Sequence, residues 1–117
     1  MLHHLTFGRN IKDNDYVTDV DWQMYCDEVL DSHFDGYMVT DANGCWKSVH
    51  ELTKQVSIET DDRQAVEDVI QLYKEMFDQD AVGLYITPSM EFISHDQSRT
   101  YRRAYQLVYR CVIGHVK

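Results

Sequence analysis

Three side chains stand out for the chemistry they could do. Glu51 follows closely on Trp46 and opens a run of apolar and β-branched residues, Leu52 to Ile58. A carboxylate at a sheet end beside an aromatic ring suits a cation, or the paired hydroxyls of a ribose. Gln79 falls between a helical pattern and a strand pattern, where an amide either caps helix carbonyls or reaches a ligand. Each residue also has a structural reading. Glu51 is then a solvent-facing edge glutamate, Gln79 a helix cap, and Trp46 a hairpin aromatic packed on the sheet.

Other chemistries find no pattern. The six histidines are scattered, and His50-Glu51 lacks the second histidine four residues on that a zinc-protease helix requires. There is no phosphate loop, no G-x-G-x-x-G and no Gly-x-Ser-x-Gly elbow. The residue types therefore predict neither a metal nor an organic cofactor.

Charge narrows the partners. The chain has 117 residues, with 20 acidic against 11 basic side chains and a formal charge of −9. Duplex DNA demands a cationic face, so nucleic acid is not expected as a partner. The charge is unevenly spread. All 20 acids lie in residues 1–98 with six basic residues, giving −14, whereas residues 99–117 carry five basic residues and no acid. This asymmetry divides the chain into a domain over 1–98 and a basic C-terminal extension over 99–117. No apolar run approaches the ~18 residues of a membrane span, and no leader pattern opens the chain. Three cysteines without paired spacing (Cys26, Cys45, Cys111) predict reduced thiols in the cytoplasm.

The elements that must position these residues follow from periodicity. Residues 2–8 read as a strand, and Asn10 to Tyr16 as a polar turn. Thr18 caps a helix whose apolar stripe is Trp22, Tyr25, Cys26, Val29 and Leu30, ending near His33. A strand begins at Tyr37, and Asn43-Gly44 marks the expected hairpin turn. The return strand runs through Val56 and Ile58 to Thr60. Asp61 or Asp62 caps a second helix with the stripe Val66, Val69, Ile70, Tyr73, Met76 and Phe77. Residues 81–87 form the last strand before Pro88. Strand, helix, strand, strand, helix, strand is the βαββαβ order of the ferredoxin-like split βαβ fold, an α+β class with two helices on one face of an antiparallel sheet. The other face has no evident cover. Tyr101, Tyr105, Val108 and Val112 make one stripe if the extension is helical, and 104–113 reads almost as well as a strand.

The stretch from Thr40 to Tyr85 resembles the phage-encoded enzymes that destroy S-adenosylmethionine (SAM), the SAM lyases once called SAM hydrolases. The matching features are Thr40-Asp41 before a turn, Gly44-Cys45 followed by an aromatic and a basic residue (Trp46-Lys47), and Glu51 ahead of the alternating Val56-Ser57-Ile58. Asp78-Gln79-Asp80-Ala81-Val82 then leads into the last strand, and Phe7-Gly8-Arg9-Asn10 is similar to the end of that family's first strand. Trp46 stands where the lyases usually carry tyrosine, and only four residues separate it from Glu51. The same scaffold, with Phe7-Gly8-Arg9, Val17-x-x-x-x-Trp22, Gly44-x-Trp46 and Gln79, also resembles a bacterial ferredoxin-like domain family of unknown activity.

The lyase resemblance implies cleavage of SAM to methylthioadenosine and L-homoserine lactone without metal or cofactor. It implies Glu51 as the catalytic residue, Trp46 and Gln79 as substrate-binding residues, and a homotrimer with sites between subunits. Two other functions fit the residues: a non-enzymatic acidic module that docks on a basic protein, and a SAM-binding protein without catalysis.

Overall fold

The computed structural model describes residues 1–94, so the basic extension over 99–117, with its helix or strand, lies outside the described residues. Four strands form one antiparallel sheet: β1 (Leu2–Gly8), β4 (Met38–Trp46), β5 (Val49–Glu59) and β6 (Gly83–Thr87), in the spatial order β4-β5-β1-β6. A two-stranded ribbon, β2 (Asn10–Ile11) and β3 (Asp15–Tyr16), stands where the polar turn was expected. The long helices are α1 (Asp19–Tyr25), continued through a π-helical turn (Cys26–Leu30) and α2 (Asp31–His33), and α3 (Arg63–Met76). This is the ferredoxin-like βαββαβ arrangement.

Local chemistry sets the helix ends. Thr18 and Asp21 form a reciprocal capping box, Thr18 Oγ1 accepting from the Asp21 amide and the Asp21 carboxylate accepting from the Thr18 amide. Asp62, rather than Asp61, caps α3 through the Ala65 amide. At its far end Asp78 takes a left-handed φ of 49°, and the Gln79 amide donates back to the Lys74 carbonyl. That is a Schellman closure, and it turns Gln79 away from the helix axis.

The sheet face under the helices holds the core. Leu5, Phe7, Val56 and Ile58 meet Trp22, Tyr25, Val29, Leu30, Val66, Val69, Tyr73 and Phe77, all buried. Met76, expected in the α3 stripe, is exposed. Phe7 lies 4.6 to 5.6 Å, centroid to centroid, from Tyr73, Trp22 and Tyr25. The buried phenols find acceptors, Tyr25 on the Val69 carbonyl and Tyr73 on the Gly8 carbonyl, each at 2.6 Å. Burial pushes both phenols well above the ordinary tyrosine pKa.

The hairpin corrects the sequence reading. Asn43 and Gly44 sit inside β4, opposite Leu52 and Glu51, and the two-residue turn is Lys47-Ser48, with φ of 49° and 66°. Two positive φ values are the signature of a type I′ turn. A turn at Asn43-Gly44 would pair Val39 with Ser48 and take β4 away from Val56 and Ile58. Moving it outward keeps Val39 opposite Val56 and adds four cross-strand pairs, ending at Trp46 and Val49. The longer ladder offsets the cost of left-handed backbone at two residues other than glycine.

Candidate functional site

Strand alternation places Trp46, Gly44, Val49 and Glu51 on the sheet face turned away from the helices. They line one open cleft of about 580 Å³ together with Asn10, Cys45 and Lys47. Trp46 and Val49 flank the turn, and Gly44 faces Glu51 across the ladder, so β4 presents no side chain directly opposite the carboxylate. Trp46 is 76% exposed, and the Lys47 ammonium stands 5.9 Å from its ring centroid.

Glu51 is held at the mouth of β1. Its Oε2 accepts from the Asn10 amide at 2.8 Å. The carboxylate leans over Gly8, where a Cβ would stand 2.7 Å from both of its oxygens. Gly8 therefore has a steric reason rather than a conformational one: its φ is not positive, but only a missing side chain lets the carboxylate cross the strand.

Gln79 approaches the same backbone from the other side. Its Nε2 donates to the Asn10 carbonyl at 2.7 Å and to the Phe77 carbonyl at 3.2 Å. The capping expectation is met at Phe77, where α3 ends, and the second bond goes to the backbone of Asn10. The structure brings Glu51 and Trp46 together in one cleft. Gln79 joins them only through Asn10, its amide capping backbone carbonyls rather than lining the space.

Several site residues escaped the sequence reading. Asn10 is gripped at both its N–H and its C=O, and its own amide reaches the His50 carbonyl at 3.4 Å. Its sequence signal was membership of Phe7-Gly8-Arg9-Asn10, two residues after a strand-ending glycine, with no role attached. Cys45 and His50 pair across the ladder, with Sγ 4.0 Å from Nε2, a contact visible only once the register is known. On the opposite face of the hairpin lies a second cleft, of about 310 Å³, lined by Arg9, Asp19, Asp41, Ala42, Asn43, Leu52, Thr53 and Lys54. Among the described residues no three His, Cys, Asp or Glu side chains converge as a metal would require. None of the described helices is long and apolar enough to cross a membrane.

Residues 3–92 match a family described as protein of unknown function (DUF3574), and the chain belongs to that family. Among solved structures it is similar to CutA from Synechococcus elongatus PCC7942, determined in complex with a Bis-Tris molecule. The two share 15% identity and a TM-score of 0.53 over 87% of this chain and 88% of that one, a likeness of fold alone. No curated protein matches the sequence.

Proposed function

We propose that this member of the family is a SAM lyase acting at the cleft between Trp46 and Glu51. The observation that carries the reading is the pairing of a backbone-anchored carboxylate with an exposed indole in one open cleft. A sulfonium nucleoside has the matching parts: a cationic sulfur and a flat base for the indole, and an ammonium and ribose hydroxyls for the carboxylate.

In the proposed step the substrate's own carboxylate oxygen attacks its γ-carbon. The carbon–sulfur bond breaks, the electron pair stays on sulfur, and methylthioadenosine leaves as the lactone closes. No water or metal takes part. Such a displacement gains chiefly from a near-attack conformer, for which effective molarities of roughly 10⁵–10⁸ M are attainable. Glu51 orients the substrate without serving as a base on water, and Trp46 lines the base or faces the sulfonium. Gln79 is a positioning residue, steadying Asn10 and through it the carboxylate.

The cleft is open in a single chain, and Trp46, Val49, Met38 and Tyr85 expose apolar surface on the same sheet face. We place a second copy there, so that the site closes between subunits of a homotrimer. Light scattering on purified protein measures that mass directly.

Incubation with SAM, followed by chromatography, tests the reaction. Wild type should yield methylthioadenosine and homoserine lactone, and Glu51→Gln should lose about 10²-fold or more of the rate. Heat of SAM binding without product would identify a binding protein instead. No turnover and no heat would sink the proposal.

A further inference from the structure

Two cations are almost withdrawn from water on the helix side of the β4–β5 hairpin. The Arg9 side chain is 10% exposed and that of Lys54 is 12% exposed, and both line the second cleft. Each is fixed by the framework: Arg9 Nε donates to the Val17 carbonyl at 2.9 Å, and the Lys54 ammonium stands 5.9 Å from the centroid of the buried Trp22 ring. Withdrawing a charge from water is costly unless an opposite charge meets it. Here that role falls to Asp19, 2.9 Å from Arg9, and to Asp41, bonded to Lys54.

The two sides of these pairs are unequal. Asp19 is 91% exposed and Asp41 is 77% exposed, so each carboxylate reaches in from solvent while its cation stays put. Exposed carboxylates hold such positions weakly, because ordering them costs entropy and water screens the attraction. Both cations line one cleft, from which an external oxyanion can approach them.

We infer that this cleft binds the oxyanion of a small ligand, a carboxylate or a phosphoryl group, which takes the places of the Asp41 and Asp19 carboxylates on Lys54 and Arg9. The cleft is large enough for such a group and carries Asn43 on the same face as Lys54. It lies on the opposite sheet face from the Trp46–Glu51 cleft, and the inference does not depend on the lyase reading. The charge of the whole chain, −9, works against casual anion binding. Saturable uptake therefore reports a local site.

Calorimetric titration at constant ionic strength, with inorganic phosphate in one arm and acetate in the other, tests this. Saturable binding in either arm is expected, and the arm that saturates at lower concentration names the oxyanion. Asp41→Asn removes the resident competitor and should tighten binding about tenfold, the weight of one charge-assisted hydrogen bond. Lys54→Met, which keeps the stem over Trp22, should weaken it by a similar factor. Amide shifts on titration should centre on Arg9, Thr53 and Lys54 rather than on Trp46. The inference is overturned by no saturable binding of either anion to the Asp41→Asn chain. It is equally overturned by undiminished binding to a folded Lys54→Met chain, or by shifts confined to the Trp46 face. Should Lys54→Met fail to fold, the Asp41→Asn titration decides alone.

Discussion

The two faces of the β-sheet are built on different principles. On the helix side, Leu5, Phe7, Val56 and Ile58 are fully buried under a lattice of rings in which Phe7, Trp22, Tyr25, Tyr73 and Phe77 touch in succession. Position there is fixed by close packing, where each side chain is confined by several others. On the open side, Met38, Trp46, Val49 and Tyr85 are exposed, and side chains are placed by register and by single hydrogen bonds. His4 typifies it: the ring stacks on Tyr85 at 4.4 Å and bonds Ser57 and Thr87 through its two nitrogens. The described residues thus put nearly all their burial on one face and leave the other open. Damage to the packed core of the first face should appear as lost stability, whereas damage to the Trp46–Glu51 cleft should leave stability nearly intact.

Phe7→Ala should show the largest effect. It removes the ring at the centre of the lattice and leaves a cavity among Trp22, Tyr25 and Tyr73, a change that costs about 3–5 kcal/mol. A urea midpoint far below wild type, or an unfolded chain, is expected. A change under about 1 kcal/mol would mean that the helix side is loosely packed and that the contrast between the faces is false.

Alkaline pH probes the same face more gently. Tyr25 and Tyr73 are raised above the ordinary phenol range, chiefly by burial; Tyr73 and Cys26 add to the rise at Tyr25, while at Tyr73 Arg9 opposes it and Glu51 adds to it. A raised folded pKa means that the stabilisation is complete below the unfolded value and is lost as pH rises above it. From about pH 10 upward each phenol should therefore cost about 1.4 kcal/mol per pH unit, because the unfolded chain ionises while the folded one does not. Urea midpoints measured on either side of pH 10 check this.

The difference between the faces also explains what could be read from sequence. Burial imposes a period, so Trp22, Tyr25, Cys26, Val29 and Leu30 announced one helix, and Val66, Val69, Ile70, Tyr73, Met76 and Phe77 the other; all are buried except Ile70, which is half-buried, and Met76, which is exposed. The βαββαβ order followed from those stripes. Nothing in the spacing asks for the π-helical turn at Cys26–Leu30. The open face has no such period. Its geometry depends on where the hairpin turns, and Asn43-Gly44 gave a strong local signal that long-range pairing of Val39 with Val56 overrode. The meeting of Glu51 with Asn10, and of Gln79 with the same residue, spans 41 and 69 positions. No local pattern encodes contacts of that separation. The Arg9–Asp19 and Lys54–Asp41 pairs were invisible for the same reason: in an acidic chain with few cations, only the fold tells which are withdrawn from water.

Gly8→Ala is the sharpest and smallest test of the contrast. The backbone at Gly8 lies outside the left-handed region, so alanine is conformationally acceptable and restricts the unfolded chain, a gain of about 0.4–1 kcal/mol. Against this, the new methyl would stand 2.7 Å from both Glu51 oxygens, so the flexible carboxylate must swing away and the Asn10 amide loses its acceptor. An exposed hydrogen bond of that kind is worth about 0.5–1.5 kcal/mol. The two terms nearly cancel, and the urea midpoint should move little. The site should not escape so lightly. The Asn10 amide resonance should shift as Oε2 departs, and under the proposed lyase function methylthioadenosine production should fall towards the level of Glu51→Gln. A folded Gly8→Ala chain that keeps full turnover would show that the carboxylate need not lie across β1, and would remove the main reason for a glycine there.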